Sequence, residues 1–261
     1  MKMARESCFG TNLPLSSMPP QLIVMLTHND RTVENALEVF NSSQDAPVTH
    51  WGFKDRGLSV DAMKRLAAAI KDAGKIACLE VVRYSTQACL ESAKLALACG
   101  FDYLMGTVYC NAVASLLRGK PIKYMPFCGR VSGSPSVLEG SISEIIAHGR
   151  DIAGRGAHGF DLLAYRYRGN PEKLARQFVD VIDLPVVIAG SIASFTQLDK
   201  IKEIAPWGFT IGSAFFEGKF GDLSIPEQIR SVTDHMNSQT RHTTLSTRNV
   251  APPLSQGKRE R

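Results

Sequence analysis

The sequence lacks any hydrophobic run long enough to cross a membrane. A membrane-spanning helix needs about 20 consecutive apolar residues, and no run among these 261 residues approaches that length. The first twenty residues also lack the continuous apolar core that a secretory signal requires. We therefore expect a cytoplasmic protein with no membrane partner.

Paired cysteines are absent as well. The six cysteines lie singly along the chain, and no two of them form a Cys-x-x-Cys pair. Their spacing suits neither a zinc site nor a small disulfide scaffold. The histidines and aspartates add no recognisable set of metal ligands. These patterns predict free, buried thiols, with no metal and no cofactor.

A net positive charge is nearly absent outside one end of the chain. The formal net charge is +5, but residues 237–261 hold five basic side chains against one acidic side chain, which leaves about +1 for the other 236 residues. That end is poor in large apolar residues and rich in Ser, Thr and Pro, a composition typical of disorder. We predict a disordered basic tail over 237–261 and no nucleic-acid partner.

The rest of the chain alternates short apolar runs with amphipathic stretches. Strand-like runs occur at 21–27, 47–53, 76–82, 101–107, 121–127, 159–165, 185–190 and 208–212. Helix-like segments lie between them, for example 59–74 and 86–100, and a last helix is predicted over 225–236. Eight strand–helix units are typical of a (β/α)8 TIM barrel in the α/β class. We predict one barrel domain over 21–236, preceded by an N-terminal extension over 1–20.

An open dinucleotide-binding sheet is disfavoured, because such a fold carries a glycine-rich turn after its first strand. Here the first strand is followed by "THNDRT", which contains no glycine. The glycines that end a strand come much later, in "PVVIAGSIASF" and "FTIGSAFFEGKF". In barrels of this kind, the turns after strands 7 and 8 frequently bind phosphate. Gly190, Ser191, Gly212 and Ser213 are therefore the predicted phosphate-binding residues, since glycine admits an anion close to the backbone.

These two segments resemble the ribulose-phosphate-binding barrel superfamily, whose members include isomerases and epimerases of phosphorylated sugars and related decarboxylases. The resemblance covers about 40 residues closely and the rest of the chain by architecture. It implies a phosphorylated small-molecule substrate held by the same two turns. Where that superfamily often has two adjacent glycines after strand 7, this chain has Gly190-Ser191.

Charged residues within the predicted strands are the candidate catalytic groups. A charge flanked by large apolar neighbours is costly against the helix layer, so it should face the barrel axis or the mouth. In "HWGFKD", Trp51 and Phe53 share one face and suit the helix layer, so His50 and Lys54 should lie on the other. By the same alternation, three further candidates face the interior: Glu80, Lys123 and Asp161.

Five residues are candidate substrate contacts, and one of them is His50 on strand 2, which should point inward or towards the mouth. His28 and Asp30 follow the first strand, Arg130 lies in the long loop predicted over 128–141, and Arg166 follows strand 6. Long loops at the mouth of a barrel are commonly lids or ligand contacts. The arginines suit a second anionic group on the substrate.

Three functions remain open at this point. The first is an epimerase or isomerase in which Lys54, with Asp161 or Glu80, moves a proton beside a carbonyl. The resemblance supports it, because some aminosugar-phosphate epimerases pair a strand-2 lysine with a strand-6 acid. The second is a class I aldolase or lyase with Lys123 as the Schiff-base nucleophile. "IKYMPF" resembles the strand that carries this lysine in keto-deoxy-phosphogluconate-type aldolases, although there it is strand 6. The third is a non-catalytic sensor of phosphorylated metabolites. Under any of these three functions, the protein could be a homo-oligomer.

Overall fold

The computed structural model describes residues 19–238, in which eight parallel strands form a nearly closed barrel with helices around it. The predicted (β/α)8 barrel is thus confirmed. The barrel strands are β1 (Gln21–Met25), β2 (His50–Lys54), β3 (Ile76–Glu80), β4 (Tyr103–Val108), β5 (Lys123–Phe127), β6 (Phe160–Leu162), β7 (Val186–Ile188) and β8 (Gly208–Ile211). The predicted N-terminal extension and basic tail lie outside the described residues, apart from 19–20 and 237–238. None of the helices within 19–238 combines the length and apolarity needed to cross a membrane.

Nine α-helices occur in residues 19–238, together with a 3-10 helix at Ala164–Arg166, and most of the α-helices follow a barrel strand. They are α1 (Ala36–Ser43), α2 (Val60–Asp72), α3 (Thr86–Cys99), α4 (Asn111–Leu117), α5 (Ile142–Gly154), α6 (Pro171–Val181), α7 (Phe195–Ile204), α8 (Ser213–Phe216) and α9 (Ile225–Asn237). Serine explains several helix starts, because the Ser59, Ser85 and Ser194 side chains each accept a hydrogen bond from a first-turn N–H. Gly100 ends α3 in the left-handed conformation, as the sequence indicates.

The strand order around the barrel is β6-β7-β8-β1-β2-β3-β4-β5. Between β5 and β6 the barrel closes without a regular ladder. There the His158 N–H donates to the Tyr124 carbonyl over 2.8 Å, and the Tyr124 N–H donates to His158 Nδ1 over 3.0 Å. This seam is the least strongly hydrogen-bonded boundary between neighbouring strands.

Side-chain alternation along β2 follows the prediction. Trp51 and Phe53 pack outward against the helix layer, where Trp51 meets the Phe40 ring at 5.1 Å in an edge-on contact. Gly52 faces the axis, and a Cβ there would lie 2.5 Å from the Met25 sulfur. The axis is filled by a separate apolar core of Ile23, Met25, Cys78, Tyr103, Met105, Met125 and Val187. Charged side chains on inward positions must therefore lie above or below this core.

Two short hairpins lie at the C-terminal end of the barrel. The first pairs Thr27–His28 with Arg31–Thr32 and is named here the 27–32 hairpin. The second pairs Arg130–Ser132 with Val137–Glu139 and is named the 130–139 hairpin. The long loop predicted over 128–141 connects β5 to α5, and its centre forms these two antiparallel strands, which the sequence did not predict.

Candidate active site at the mouth of the barrel

A cavity of about 550 Å³ opens at the C-terminal ends of the strands. Its floor and walls come from the ends of β1, β2, β3, β7 and β8, together with the turn after β6. Six of the predicted residues with polar roles line it together: Asp30, Lys54, Glu80, Arg166, Ser191 and Ser213. Gly190 and Gly212 line it as well. The fold thus brings most of the candidate residues into one space.

Lys54, the last residue of β2, lies between two carboxylates. Its Nζ is 2.8 Å from Asp30 Oδ1 and 3.2 Å from Glu80 Oε1. Burial lowers the pKa of Lys54, but the charges of Glu80 and Asp30 outweigh it, so the net shift of the pKa is upward. Lys54 is therefore an ammonium ion at neutral pH. The buried Thr32 hydroxyl fixes its backbone, since it accepts from the Lys54 N–H over 2.9 Å and donates to the Lys54 carbonyl over 2.7 Å.

Asp30 reaches Lys54 because of the turn of the 27–32 hairpin. Both turn residues, Asn29 and Asp30, have positive φ angles of 49° and 59°, a conformation that Asn and Asp tolerate better than other non-glycine residues. Arg166 adds a second cation, with its Nη2 3.5 Å from Asp30 Oδ1. Burial raises the pKa of Asp30, but Lys54 and Arg166 more than offset this and leave the pKa below its usual value. Asp30 is a carboxylate that helps to hold Lys54 charged.

Asp161 lies close to this group but is sealed from the cavity. The residue is 1% exposed, and its Oδ1 has no hydrogen-bond partner in the part of the chain that is described. Burial raises the pKa of Asp161 well above its usual value, and the charge of Glu80 adds to this, against smaller opposing effects of Lys54 and Arg166. This carboxyl group favours its neutral form far more than Asp30 does.

The two Gly-Ser turns form the opposite wall of the cavity. Gly190 has a φ of 97°, and a Cβ there would lie 2.8 Å from Arg166 Cγ, so glycine lets the arginine approach. Ser191 also has a positive φ, 51°. Within residues 19–238, the backbone N–H groups of Ser191, Ile192, Ser213 and Ala214 have no protein acceptor. Unpaired N–H groups beside glycines are typical of anion sites.

The other predicted mouth residues lie at the edge of this cavity or beyond it. The His28 Nε2 is 3.5 Å from Glu217 Oε1, and its ring lies against Phe216 at the rim. Arg130 is exposed on the 130–139 hairpin and does not line the cavity. Instead it borders a separate small cavity with Glu139 and Glu144.

His50 and Lys123 lie at the N-terminal ends of their strands, whereas the mouth of the barrel lies at the C-terminal ends. His50 begins β2 and is packed edge-on against the rings of Tyr103 at 5.9 Å and Trp207 at 5.3 Å. Burial lowers the pKa of His50 to about 4. Lys123 begins β5 and is half-buried, and its charge helps to lower the pKa of His158, which burial lowers most. Neither residue lines the cavity.

Sequence reasoning missed two residues of this site. Thr32, which bonds to both backbone groups of Lys54, belongs to a hairpin too short to give a periodic signal. Glu217 lines the cavity beside the second Gly-Ser turn, within "AFFEGKF", and its carboxylate lies 3.7 Å from Lys219 Nζ. The segment "THNDRT" contains the one available sign of the hairpin, because Asn29 and Asp30 are residue types that tolerate the positive φ angles of a two-residue turn.

The cysteines and potential metal ligands add nothing to this cavity. Cys78, Cys89, Cys99, Cys110 and Cys128 are free and buried. Over residues 19–238, no group of three or more His, Cys, Asp or Glu side chains is arranged to hold a metal ion.

Comparison with known proteins reveals the fold and leaves the family open. No protein-family model matches the sequence, and no curated protein matches it. Solved structures do match. An N-(5'-phosphoribosyl)anthranilate isomerase from Pyrococcus furiosus aligns over 83% of this chain and 98% of its own, with a TM-score of 0.59 at 12% identity.

An N-acetylmannosamine-6-phosphate 2-epimerase from Clostridium perfringens aligns over 84% of this chain and 95% of its own, with a TM-score of 0.58 at 12% identity. A 4-hydroxy-2-oxoglutarate aldolase/2-deydro-3-deoxyphosphogluconate aldolase from TTHB1 aligns over 83% and 94%, with a TM-score of 0.55 at 14% identity. These neighbours are enzymes of three reaction types. At these identities the likeness shows the fold alone, which is the (β/α)8 barrel that the sequence predicts.

Proposed function

We propose that this protein is an isomerase or epimerase that moves a proton next to a carbonyl group on a phosphorylated sugar or a related metabolite. The observation that carries this proposal is the position of Lys54. Its ammonium group lies between two carboxylates on one side of the cavity, and the two Gly-Ser turns form the other side.

In this proposal the phosphate group binds to the unpaired N–H groups of Ser191, Ile192, Ser213 and Ala214. Glycine at 190 and 212 keeps the wall free of side chains, and the Ser191 and Ser213 hydroxyls can donate further hydrogen bonds. Arg166 is held 3.5 Å from Asp30 and borders the same space. The tail of the substrate is thereby fixed, and its carbonyl group is directed towards Lys54.

The chemistry follows from the charge states. Lys54 is charged, so it acts as the acid and not as the base. The Glu80 carboxylate removes a proton from the carbon beside the carbonyl, and the C–H electron pair becomes the C=C bond of an enediolate. The carbonyl oxygen takes up the negative charge, which the Lys54 ammonium stabilises by charge and hydrogen bonding. Return of a proton to the same carbon on its other face, with loss of the negative charge from the oxygen as the carbonyl re-forms, gives the epimer. For the isomer, the proton returns to the former carbonyl carbon, the neighbouring hydroxyl gives up its proton to the former carbonyl oxygen, and a new carbonyl forms at the neighbouring carbon.

Asp161, the other predicted acid, is buried and does not line the cavity, so this proposal gives it no proton-transfer step. The aldolase alternative fits less well. A Schiff base needs a neutral amine at the substrate carbonyl, whereas the pKa of Lys54 is raised and Lys123 lies outside the cavity.

The decisive experiment is proton NMR of a panel of phosphorylated aldoses and ketoses incubated with the protein in heavy water. We expect one C–H signal next to a carbonyl to disappear. The rate of loss should fall by about three orders of magnitude in Lys54→Met and in Glu80→Gln, the upper range for removal of a general acid or base. Lys75→Met is the matched control, since this half-buried lysine donates to the Val48 carbonyl at the other end of the barrel.

Each alternative has its own outcome. Exchange that survives Lys54→Met but is lost in Lys123→Met would favour the aldolase reading. Broadening of ligand signals without exchange would favour the non-catalytic sensor. An absence of any effect across the panel would contradict the proposal that the substrate is a phosphorylated sugar.

A further inference from the structure

A second cavity, of about 370 Å³, adjoins the first. The two cavities share the side chains of Asp30 and Lys54 on one side and residues Ser134 and Pro135 on the other. Ser134 and Pro135 form the tip of the 130–139 hairpin. The Lys54 ammonium therefore lies at the passage between two chambers, with the Gly-Ser turns in the first chamber only.

The second chamber is lined by an excess of positive charge. Two arginines border it, Arg56 after β2 and Arg83 after β3. The Arg83 Nη2 bonds to the Asp55 carboxylate, and its Nη1 donates to the Val82 carbonyl over 3.0 Å. The two carboxylates of this lining, Asp30 and Asp55, are thus matched by Lys54 and Arg83.

Arg56 is the cation that remains. It is exposed and forms no ion pair within 4.0 Å among residues 19–238, although its charge acts to lower the pKa of the adjacent Asp55 against the larger effect of burial. Because Asp55 anchors the Arg83 guanidinium at one edge, that planar group keeps N–H donors for a ligand. Guanidinium groups bind carboxylate and phosphate oxygens with paired hydrogen bonds.

The hairpin tip closes this chamber from above. The Tyr84 hydroxyl donates to the Gly133 carbonyl over 2.9 Å and lies 2.9 Å from the Ser136 hydroxyl. These bonds hold the tip over the passage between the chambers. The hairpin tip covers the middle of a ligand that fills both chambers. One end of that ligand contacts the Gly-Ser turns, and the other end contacts the arginines.

We propose that the substrate has a second anionic group, a carboxylate or a second phosphate, bound by Arg56 and Arg83 in the second chamber. This inference rests on the proposed function and narrows its substrate class. The substrate is a sugar derivative with an acidic group at each end, one on the Gly-Ser turns and one on the arginines. The reacting carbon then lies between them, at Lys54.

The test compares three probes of similar size by isothermal titration calorimetry. Glucitol 6-phosphate has one acidic end, 6-phosphogluconate adds a carboxylate, and fructose 1,6-bisphosphate adds a phosphate. We expect at least one doubly acidic probe to bind about tenfold more tightly than glucitol 6-phosphate, as charge-assisted bonds to arginine allow. The preferred probe distinguishes carboxylate from phosphate.

Arg56→Gln should reduce that preference to about twofold and leave the affinity for glucitol 6-phosphate unchanged. Arg56 is exposed, so this variant should fold normally. Arg83→Gln leaves Asp55 without its partner, so the Asp55→Asn/Arg83→Gln double variant accompanies it. Arg65→Gln, an exposed arginine on α2, is the matched control.

The outcomes separate this inference from the function on which it rests. Equal binding of all three probes would overturn the second anion site and leave the proposed function standing. A preference that persists in Arg56→Gln and in the double variant would also overturn it. Failure of every probe, and of inorganic phosphate, to bind would overturn the proposed function itself.

Discussion

Both ends of the barrel interior hold buried ionisable side chains, but the two ends have opposite effects on the charged forms of Lys54 and His50. At the C-terminal end, Lys54 and Glu80 are the last residues of β2 and β3 and form an ion-paired group that faces a cavity. At the N-terminal end, His50 begins β2 and is packed between aromatic rings, and its Nδ1 has no partner in the part of the chain described. The C-terminal group stabilises the charge of Lys54, whereas the aromatic surroundings of His50 disfavour a charge on its ring.

This contrast shows that an inward-facing position alone does not make a catalytic residue. His50 and Lys54 share a face of the same strand, four residues apart. Their environments differ because the apolar axis core lies between them. The pKa shifts therefore run in opposite directions, with that of Lys54 raised and that of His50 lowered to about 4.

The largest effect on stability is expected from removing the Lys54 ammonium group at the C-terminal end. Lys54→Met leaves Glu80 without its ion-pair partner and leaves Asp30 with Arg166 alone, and we expect a loss of about 3–4 kcal/mol in the free energy of unfolding at pH 7. Adding Glu80→Gln to Lys54→Met should restore at least half of this loss. Urea unfolding of both variants checks this, and a double variant no more stable than the single one would contradict it.

The burial of His50 at the N-terminal end should make the free energy of unfolding decrease in acid. The pKa of His50 is lower in the folded protein, about 4, than its ordinary 6.5, so its contribution to stability is complete above pH 6.5. It is lost as the pH falls from 6.5 towards 4, and the total is about 3 kcal/mol.

A His50→Gln variant removes this titration. The difference in unfolding free energy between pH 7 and pH 4 should therefore shrink by about 3 kcal/mol relative to the unmodified protein. Urea unfolding at both pH values measures it. An unchanged pH dependence would mean that His50 is already solvated in the folded state.

Asp161 offers a smaller test at the boundary between the two ends. Its pKa is raised in the folded protein, so its stabilising contribution is full below pH 3.8 and is lost as the pH rises towards the folded pKa. Asp161→Asn removes that loss, so we expect the stability of the variant relative to the unmodified protein to be greater at pH 8 than at pH 4 in urea unfolding. A gain of the same size at both pH values would show that packing, not titration, is responsible.

The smallest effect concerns the negative charge beside the phosphate turns. Glu217 is 40% exposed and lines the cavity next to Ser213. Glu217→Gln should tighten the binding of inorganic phosphate about threefold at low salt, and the gain should vanish near 1 M salt because exposed charges are screened. Glu203→Gln on α7, with 46% side-chain exposure, is the control and should have no effect.

Much of this architecture could be predicted from the sequence. The alternation in "HWGFKD" identified Trp51 and Phe53 as outward-facing and Lys54 as inward-facing. The two Gly-Ser strand ends identified one wall of the cavity. These features depend on the period of a single strand and on glycine's backbone freedom, which are local properties of the chain.

The level of a residue along the barrel axis could not be predicted in the same way. The apolar run 121–127 gave Lys123 a place inside its strand, but the observed strand begins at Lys123. Likewise the predicted strand 47–53 includes three residues before His50, but the observed strand begins at His50. Where a strand begins depends on its hydrogen-bond register with both neighbours, which is a tertiary property. The two hairpins were missed for a related reason, because strands of two or three residues carry no measurable period.

The seam between β5 and β6 has a consequence for the movement of protons. Asp161 lies in the middle of β6, directly at this boundary, and has no opening into the cavity. A buried acid can exchange its proton with water only when its surroundings separate, and local opening begins where hydrogen bonds are fewest. After a sudden change of pH, we therefore expect Asp161 to respond at the rate of seam opening, slower than the surface carboxylates, so that the barrel retains for a time the protonation state of its earlier surroundings.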